Sequence, residues 1–232
     1  MHNVSLLTAN SMVELCSQVE GIDESSLLQM SISLYGNQLS ALVTLVPRDP
    51  LWHTTSGSEF ARVCEQSVEL HFDSLSRQLN KESASERTKT AEGRENSTKG
   101  LHDTTLEVGD VYCTRHSNLR DAQLVFHLVV DDALHSIDIS SRHPCLNGIR
   151  NIIRLTMRLG ITSLRIPLLL VEKASENMTI AWCLRRAEMV YKCVKGYLME
   201  VPDGEVVELL QSLSGLVPFL SRICGKFASL NW

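Results

Sequence analysis

The 232-residue chain has no apolar run of the roughly 18 to 20 residues that a membrane span requires; its longest, Ile166 to Val171, is strand-sized and contains Pro167. The opening Met1-His2-Asn3-Val4 lacks the basic-then-apolar pattern of a secretory signal. Basic charge is not in excess: the formal net charge is −5, which argues against nucleic-acid binding driven by bulk charge and leaves only local basic patches. The seven cysteines are odd in number, scattered among apolar neighbours, and never spaced C-x-x-C. Such cysteines read as small buried hydrophobes rather than a disulfide framework, and imply a reducing, cytosolic or nuclear compartment. The sequons beginning at Asn3, Asn96 and Asn177 then carry no weight. There is no H-E-x-x-H, no P-loop, no G-x-G-x-x-G and no G-x-S-x-G.

What is present suffices for a proper core. Hydrophobic residues make up 44% and charged residues 21% of the chain, which fits one large domain or one domain with a long insert. Val4, Leu7, Met12, Leu15 and Val19 recur at helical spacing, so residues 4–20 are expected to form a helix stopped by Gly21. Leu28 to Tyr35 and Leu39 to Val46 read as strands joined by a turn at Gly36-Asn37-Gln38. A longer helix is expected from Ser58 to Leu79, with Phe60, Val63, Cys64, Val68, Phe72, Leu75 and Leu79 on its apolar face.

Residues 80–105 differ in kind. The segment is rich in Lys, Glu, Ser, Thr and Gly, and Leu101 is its only large apolar residue, so burial cannot offset the entropy of ordering it. It is expected to be a disordered insert. After it come strands at Asp110–Thr114 and Gln123–Val130, a helix from Cys145 to Leu159 stopped by Gly160, and a strand from Ile161 to Val171. A helix from Met178 to Lys195, closing at Gly196, follows. Buried strands alternating with helices form a βαβα unit, hence a partly parallel sheet. Glu205 to Phe227 reads as a helical tail. The expected fold is α/β, a mixed and partly parallel sheet flanked by helices. Residues 1–79 and 106–232 would be two parts of one domain, interrupted by the insert at 80–105.

Candidate chemistry is thin. Ser140-Ser141-Arg142-His143-Pro144-Cys145 packs nucleophile, base and cation into six residues, but neighbours so close in sequence rarely face each other; a loop entering a helix, with Pro144 in its first turn, explains it better. Arg115, His116 and Asn118 lie between two strands, where Arg115 could clamp an anion or the loop could simply satisfy its own backbone. Asp131 and Asp132 close a buried strand without partners at ligand spacing, and His127 reads as a satisfied core histidine. Arg185, Arg186, Lys192 and Lys195 stand off the apolar stripe of the last helix, as a solvated face or as a surface for an acidic partner or RNA. No residue set argues for a catalytic site, a metal or a cofactor.

The segments Met1-His2-Asn3, Ser31-Ile-Ser-Leu-Tyr35, Thr114-Arg-His-Ser-Asn-Leu119, Phe126-His-Leu-Val-Val-Asp-Asp132, Ile166-Pro-Leu-Leu-Leu-Val171, Met178-Thr-Ile-Ala-Trp-Cys-Leu-Arg-Arg-Ala-Glu188 and Lys192-Cys-Val-Lys-Gly196 resemble the C-terminal half of the FERRY complex subunit three family. The resemblance implies a non-enzymatic subunit of a five-part early-endosomal Rab effector that links messenger RNA and the translation machinery to endosomes. It implies other subunits as partners, direct or indirect RNA contact, and a cytoplasmic, endosome-associated location. Two departures stand out. The family's long helical N-terminal half is missing, and only Val201-Pro-Asp-Gly204 lies where the family is longer, which predicts a sheet short of one strand with an exposed edge. At fold level Gly109-Asp110-Val111, the strand holding His127, and Ile166-Pro167 are similar to macro domains, which bind ADP-ribose. The glycine-rich phosphate loop of that family has no counterpart after Ile166-Pro167, so the pocket is expected to be inactive. A protein-interaction module and a nucleotide- or ADP-ribose-like binder are the two readings carried forward.

Overall fold

A computed structural model describes residues 3–9, 11, 13–17, 39–81, 106–120, 122–135, 138–172, 178–200 and 206–212. The elements in chain order are β1 (Asn3–Ala9), a 3-10 turn (Val13–Cys16), β2 (Leu39–Val46), α1 (Trp52–Thr55), α2 (Glu59–Gln66), β3 (Val111–Arg115) and β4 (Leu124–Val129). A second 3-10 turn (Asp132–His135), α3 (Pro144–Leu159), β5 (Ile161–Pro167), α4 (Ile180–Leu198) and β6 (Val206–Ser212) complete them. The six strands form one mixed sheet in the order β1-β6-β5-β2-β4-β3. Among the described residues only the β3–β4 pair is antiparallel. Four parallel pairs need crossover connections, and α3 provides one by carrying the chain from β4 over β2 to β5.

Alternation along the strands sorts side chains into two cores. Ala41, Val43, Leu45, Phe126 and Leu128 join Ile149, Ile152 and Ile153 of α3 and Cys183, Ala187 and Val190 of α4 on one face. Leu42, Val46, Val125 and Val129 pack with Phe60 and Val63 of α2 on the other. β4 is therefore buried on both sides, as its unbroken apolar run requires. Helix α3 starts where its sequence signals it. The Nδ1 of His143 accepts from the Cys145 amide at 3.3 Å, Pro144 occupies the first turn, and Gly160 closes the helix at φ 66°. Gly148 lets α3 lie directly on the backbone of Gly109; a Cβ there would meet Gly109 O at 2.6 Å and Leu128 Cδ1 at 2.5 Å.

Several expectations are corrected. Residues 4–20 are not one helix: β1 and the 3-10 turn occupy the described part, because a short apolar run fits either period and pairing with β6 supplies the ladder. The helix expected over Ser58–Leu79 breaks after Gln66, where Ser67 turns extended, and helical structure resumes only at 75–81. Strand β5 stops at Pro167, and residues 168–170 turn, with Leu170 at φ 55°. Helix α4 runs through Gly196 to Leu198. The described start of the expected helical tail is β6, which lies between β1 and β5, so the sheet has no vacancy there. The strand expected at Leu28–Tyr35, its turn, most of the insert (82–105) and residues 213–232 lie outside the described residues. No helix among the described residues is long and apolar enough to cross a membrane.

Candidate functional site

Open α/β sheets place their ligands beyond the carboxyl ends of the parallel strands. Here β2, β4 and β5 end around a cleft of about 320 Å³, lined by Pro47 and Trp52 after β2, Asp131, Asp132, Leu134 and His135 after β4, and Leu170, Val171 and Glu172 after β5. Among the described residues its charged lining is three carboxylates, with no lysine or arginine side chain. One oxygen of Asp131 is buried with no hydrogen-bond partner among the described residues. The segment after β5, Leu168 to Val171, is buried aliphatic chain without a glycine. A phosphate cradle needs successive amides approached closely, which glycine favours, and this segment has none.

Arg186 lies behind the cleft. Its two terminal nitrogens donate to the carbonyls of Leu169 and Leu134 at 3.2 and 3.0 Å, and its guanidinium stacks 4.5 Å from the centre of the Trp182 ring. Burial lowers its pKa to about 10, still far above neutrality, so it stays charged. It ties the two cleft-forming turns to α4 rather than offering donors to a ligand.

On the opposite face lies a polar cluster, of which sequence reasoning named His116 and His127 without joining them to each other or to the rest. His53 of α1 and His127 of β4 approach to 3.1 Å between Nε2 and Nδ1. His127 Nδ1 is 2.9 Å from Thr44 Oγ1, and its Nε2 is 2.8 Å from Thr114 Oγ1, which also lies 2.8 Å from His116 Nε2. Ser58 Oγ, which caps α2, closes the far end at 2.8 Å from His53 Nδ1. Tyr112 stacks on His127, and Phe60 packs edge-on to His116 and His127. Burial pushes His53 down to about 4, with the neighbouring His116 adding to it. Burial likewise takes His116 to about 4, against the Glu69 charge and a hydrogen bond to Asn118. His127 lies well below its ordinary value, through burial and then its two histidine neighbours. All three are neutral at pH 7, and their hydrogen bonds hold α1 and α2 to the sheet. No group of histidine, cysteine and carboxylate side chains among the described residues could hold a metal ion.

The residues singled out in the sequence separate into two groups. Arg115, Arg185 and Lys192 are exposed and Lys195 is half-buried. Arg185 faces Asp138 at 3.4 Å, and Lys192 bonds Glu188 at 2.8 Å. His116, Asn118 and Arg186 are only 2%, 7% and 3% exposed, which corrects their placement on a surface. His116 joins the histidine cluster, Asn118 Nδ2 donates to the carbonyls of Cys64 and Ser67, and Arg186 anchors the turns. Asp131 and Asp132 line the cleft. The Cys145 thiol faces the Val129 carbonyl at 3.8 Å, and burial pushes its pKa up to about 12, so it is no thiolate and His143 does not address it. A signal for the missed cluster existed in the threonine and histidine that interrupt apolar strands at Thr44 and His127, which need partners when buried.

Comparison with known proteins bears on this geometry. A family profile described as Ferry endosomal RAB5 effector complex subunit 3 matches residues 1–218. The proteins of that name from Homo sapiens and Pongo abelii are each 35% identical over 260 residues, covering 96% of this chain. The chain spans only 47% of the length of either. Among solved structures, an Oceanobacillus iheyensis macrodomain with MES bound superposes with a TM-score of 0.50 at 13% identity, covering 97% of this chain and 90% of that one. A point mutant of the same macrodomain with ADPR gives 0.51 at 15% identity, covering 84% and 88%. These structural likenesses show a macrodomain-like fold.

Proposed function

Since the chain belongs to the Ferry endosomal RAB5 effector complex subunit 3 family, we propose that it is a non-enzymatic subunit of such a complex, acting through protein surfaces on a macrodomain-like scaffold. The observation that carries the reading is the strand-end cleft. It sits where this fold would take a ligand, yet three carboxylates line it and buried leucines fill the turn after β5. Among the described residues its lining offers a pyrophosphate no cationic side chain. On this reading the partners are the other subunits, the location is the cytoplasmic side of the early endosome, and the link to messenger RNA and the translation machinery runs through the assembly. Arg115, Arg185, Lys192 and Lys195 are then the contact candidates that reach solvent.

A second reading, a binder of nucleotide- or ADP-ribose-like molecules, has the 320 Å³ cleft itself in its favour. A thermal-shift screen of the full chain separates the two. Ligand at a hundred times its dissociation constant would stabilise the fold by about 2.7 kcal/mol. The expected result is no shift with ADP-ribose, nucleotides or divalent cations, and stabilisation by the other subunits of the complex. A saturable shift with ADP-ribose would overturn the first reading in favour of the second.

A further inference from the structure

Strand β3 ends the sheet, and among the described residues no strand lies on its outer side. Its ladder with β4 uses alternate residues. The His116 amide donates to the Gln123 carbonyl at 2.9 Å, and the Val129 amide donates to the Asp110 carbonyl at 2.9 Å. Pairing at 110 and 116 turns the peptide groups of Val111, Cys113 and Arg115 away from β4, along the outer edge. Such a row is a template on which another chain can add a strand. The strand itself, Val111-Tyr-Cys-Thr-Arg115, is rich in residues that favour extended structure and holds neither proline nor glycine.

The chain closes part of that row with side chains. Between α2 and the helical residues 75–81 it forms a loop with Val68 and Leu70 exposed, and Leu75 and Leu79 anchor the helical residues in the core that also holds Tyr112 of β3. Gln78 Oε1 accepts from the Arg115 amide at 2.8 Å, and Gln78 Nε2 donates to the Arg115 carbonyl at 2.7 Å. These are the two bonds that a residue of an added strand would exchange with Arg115. Nε2 also donates to the Asp73 carbonyl at 2.7 Å, so the Gln78 amide group is fully engaged. Two residues on, the Glu69 carboxylate accepts from the Ser117 amide at 2.8 Å and from the Ser117 hydroxyl. It also accepts from the amides of His71 and Phe72 at 3.2 Å each, which pins its own loop. Burial opposes ionisation of this carboxyl, but those hydrogen bonds outweigh it and hold the group below its usual range.

We propose that Gln78 and Glu69 form a side-chain clip that keeps the outer edge of β3 closed, and that the strand it excludes is β3 of a second copy of this chain. An antiparallel strand pairs with its own copy about a two-fold axis, so the same edge serves both partners and no other surface has to match. The inference concerns the chain alone and stands apart from the complex-subunit reading. The test is size-exclusion chromatography with light scattering on the full chain over a wide range of concentration. Wild type should keep the monomer mass throughout. Gln78→Ala should rise toward twice that mass as concentration increases, with circular dichroism reporting an intact fold. At low concentration its Arg115 amide should exchange hydrogen faster than in wild type. Adding Arg115→Pro should return Gln78→Ala to monomer, because proline removes an outward N–H that takes no part in the ladder to β4.

A Gln78→Ala variant that stays monomeric while its Arg115 amide exchanges faster overturns the inference, since the edge is then open and nothing adds to it. Self-association that survives Arg115→Pro overturns it as well, because it runs through another surface. A wild type that already dimerises, and that Arg115→Pro alone makes monomeric, shows that the clip does not close the edge. Should Gln78→Ala lose its fold, Gln78→Met keeps the length of the side chain without its hydrogen bonds and carries the same expectation.

Discussion

Along β4, Phe126 and Leu128 point to the face covered by α3 and α4, while Val125, His127 and Val129 point to the face covered by α1 and α2. The first face is filled with leucine, isoleucine and valine, and Arg186 is the charged group buried beside it. The second interleaves valine and phenylalanine with Thr44, His53, Thr114, His116 and His127. The same strands thus support a core held by non-directional burial and a core held by a chain of hydrogen bonds. The aliphatic face depends on volume. The polar face depends on three imidazoles staying neutral and on two threonines being able to donate and accept.

The comparison is tested most strongly by acid. His53 and His116 have folded values near 4, below the unfolded value of 6.5. The unfolded chain therefore binds protons that the fold does not. The stability these histidines contribute is complete above pH 6.5, is lost as pH falls through the window from 6.5 to about 4, and is gone below it. Complete titration of one such group is worth about 3 kcal/mol, at about 1.4 kcal/mol per pKa unit. Urea midpoints followed from neutral pH down to about 4 should fall steeply, and His53→Leu should blunt the fall. An equal slope in the two proteins would break the contrast.

Ile149→Ala, on the aliphatic face, should cost about 2–5 kcal/mol through lost burial and a residual cavity. It should shift the whole stability-against-pH curve without changing its slope. A pH-dependent loss would mean that the two faces are not independent. Thr114→Val preserves volume on the polar face but strips the partner from one nitrogen each of His116 and His127. A loss of about 1–3 kcal/mol is expected, measured by the same denaturation. A neutral outcome would show that the hydrogen-bond chain is dispensable.

How far the site could be read in advance follows the same division. Asp131 and Asp132 were visible as carboxylates ending an apolar strand, and the missing glycine after Pro167 already spoke against a phosphate loop; both bear on the cleft as found. The histidine chain was not visible, because its members lie at positions 44, 53, 58, 114, 116 and 127, and no local period connects them. Arg186 was misplaced for a related reason. A cation off the apolar stripe of α4 looks solvated until two turns from elsewhere in the chain aim their carbonyls at it.

The sequence by itself determined β2, β3, β4, α3 and α4, to within a few residues at their ends. Their apolar periods are long, and Pro144 and Gly160 mark where α3 starts and stops. It also determined that the chain has a buried, partly parallel sheet, since a strand apolar on both faces admits little else. Only the tertiary structure decided that β1 and β6 are strands, that the chain breaks at 67–74 to expose Val68 and Leu70, and which polar side chains are buried. A strand needs its neighbour's backbone, a pinned loop needs Ser117 to hold Glu69, and a neutral histidine needs partners. All of these are supplied by residues distant in sequence.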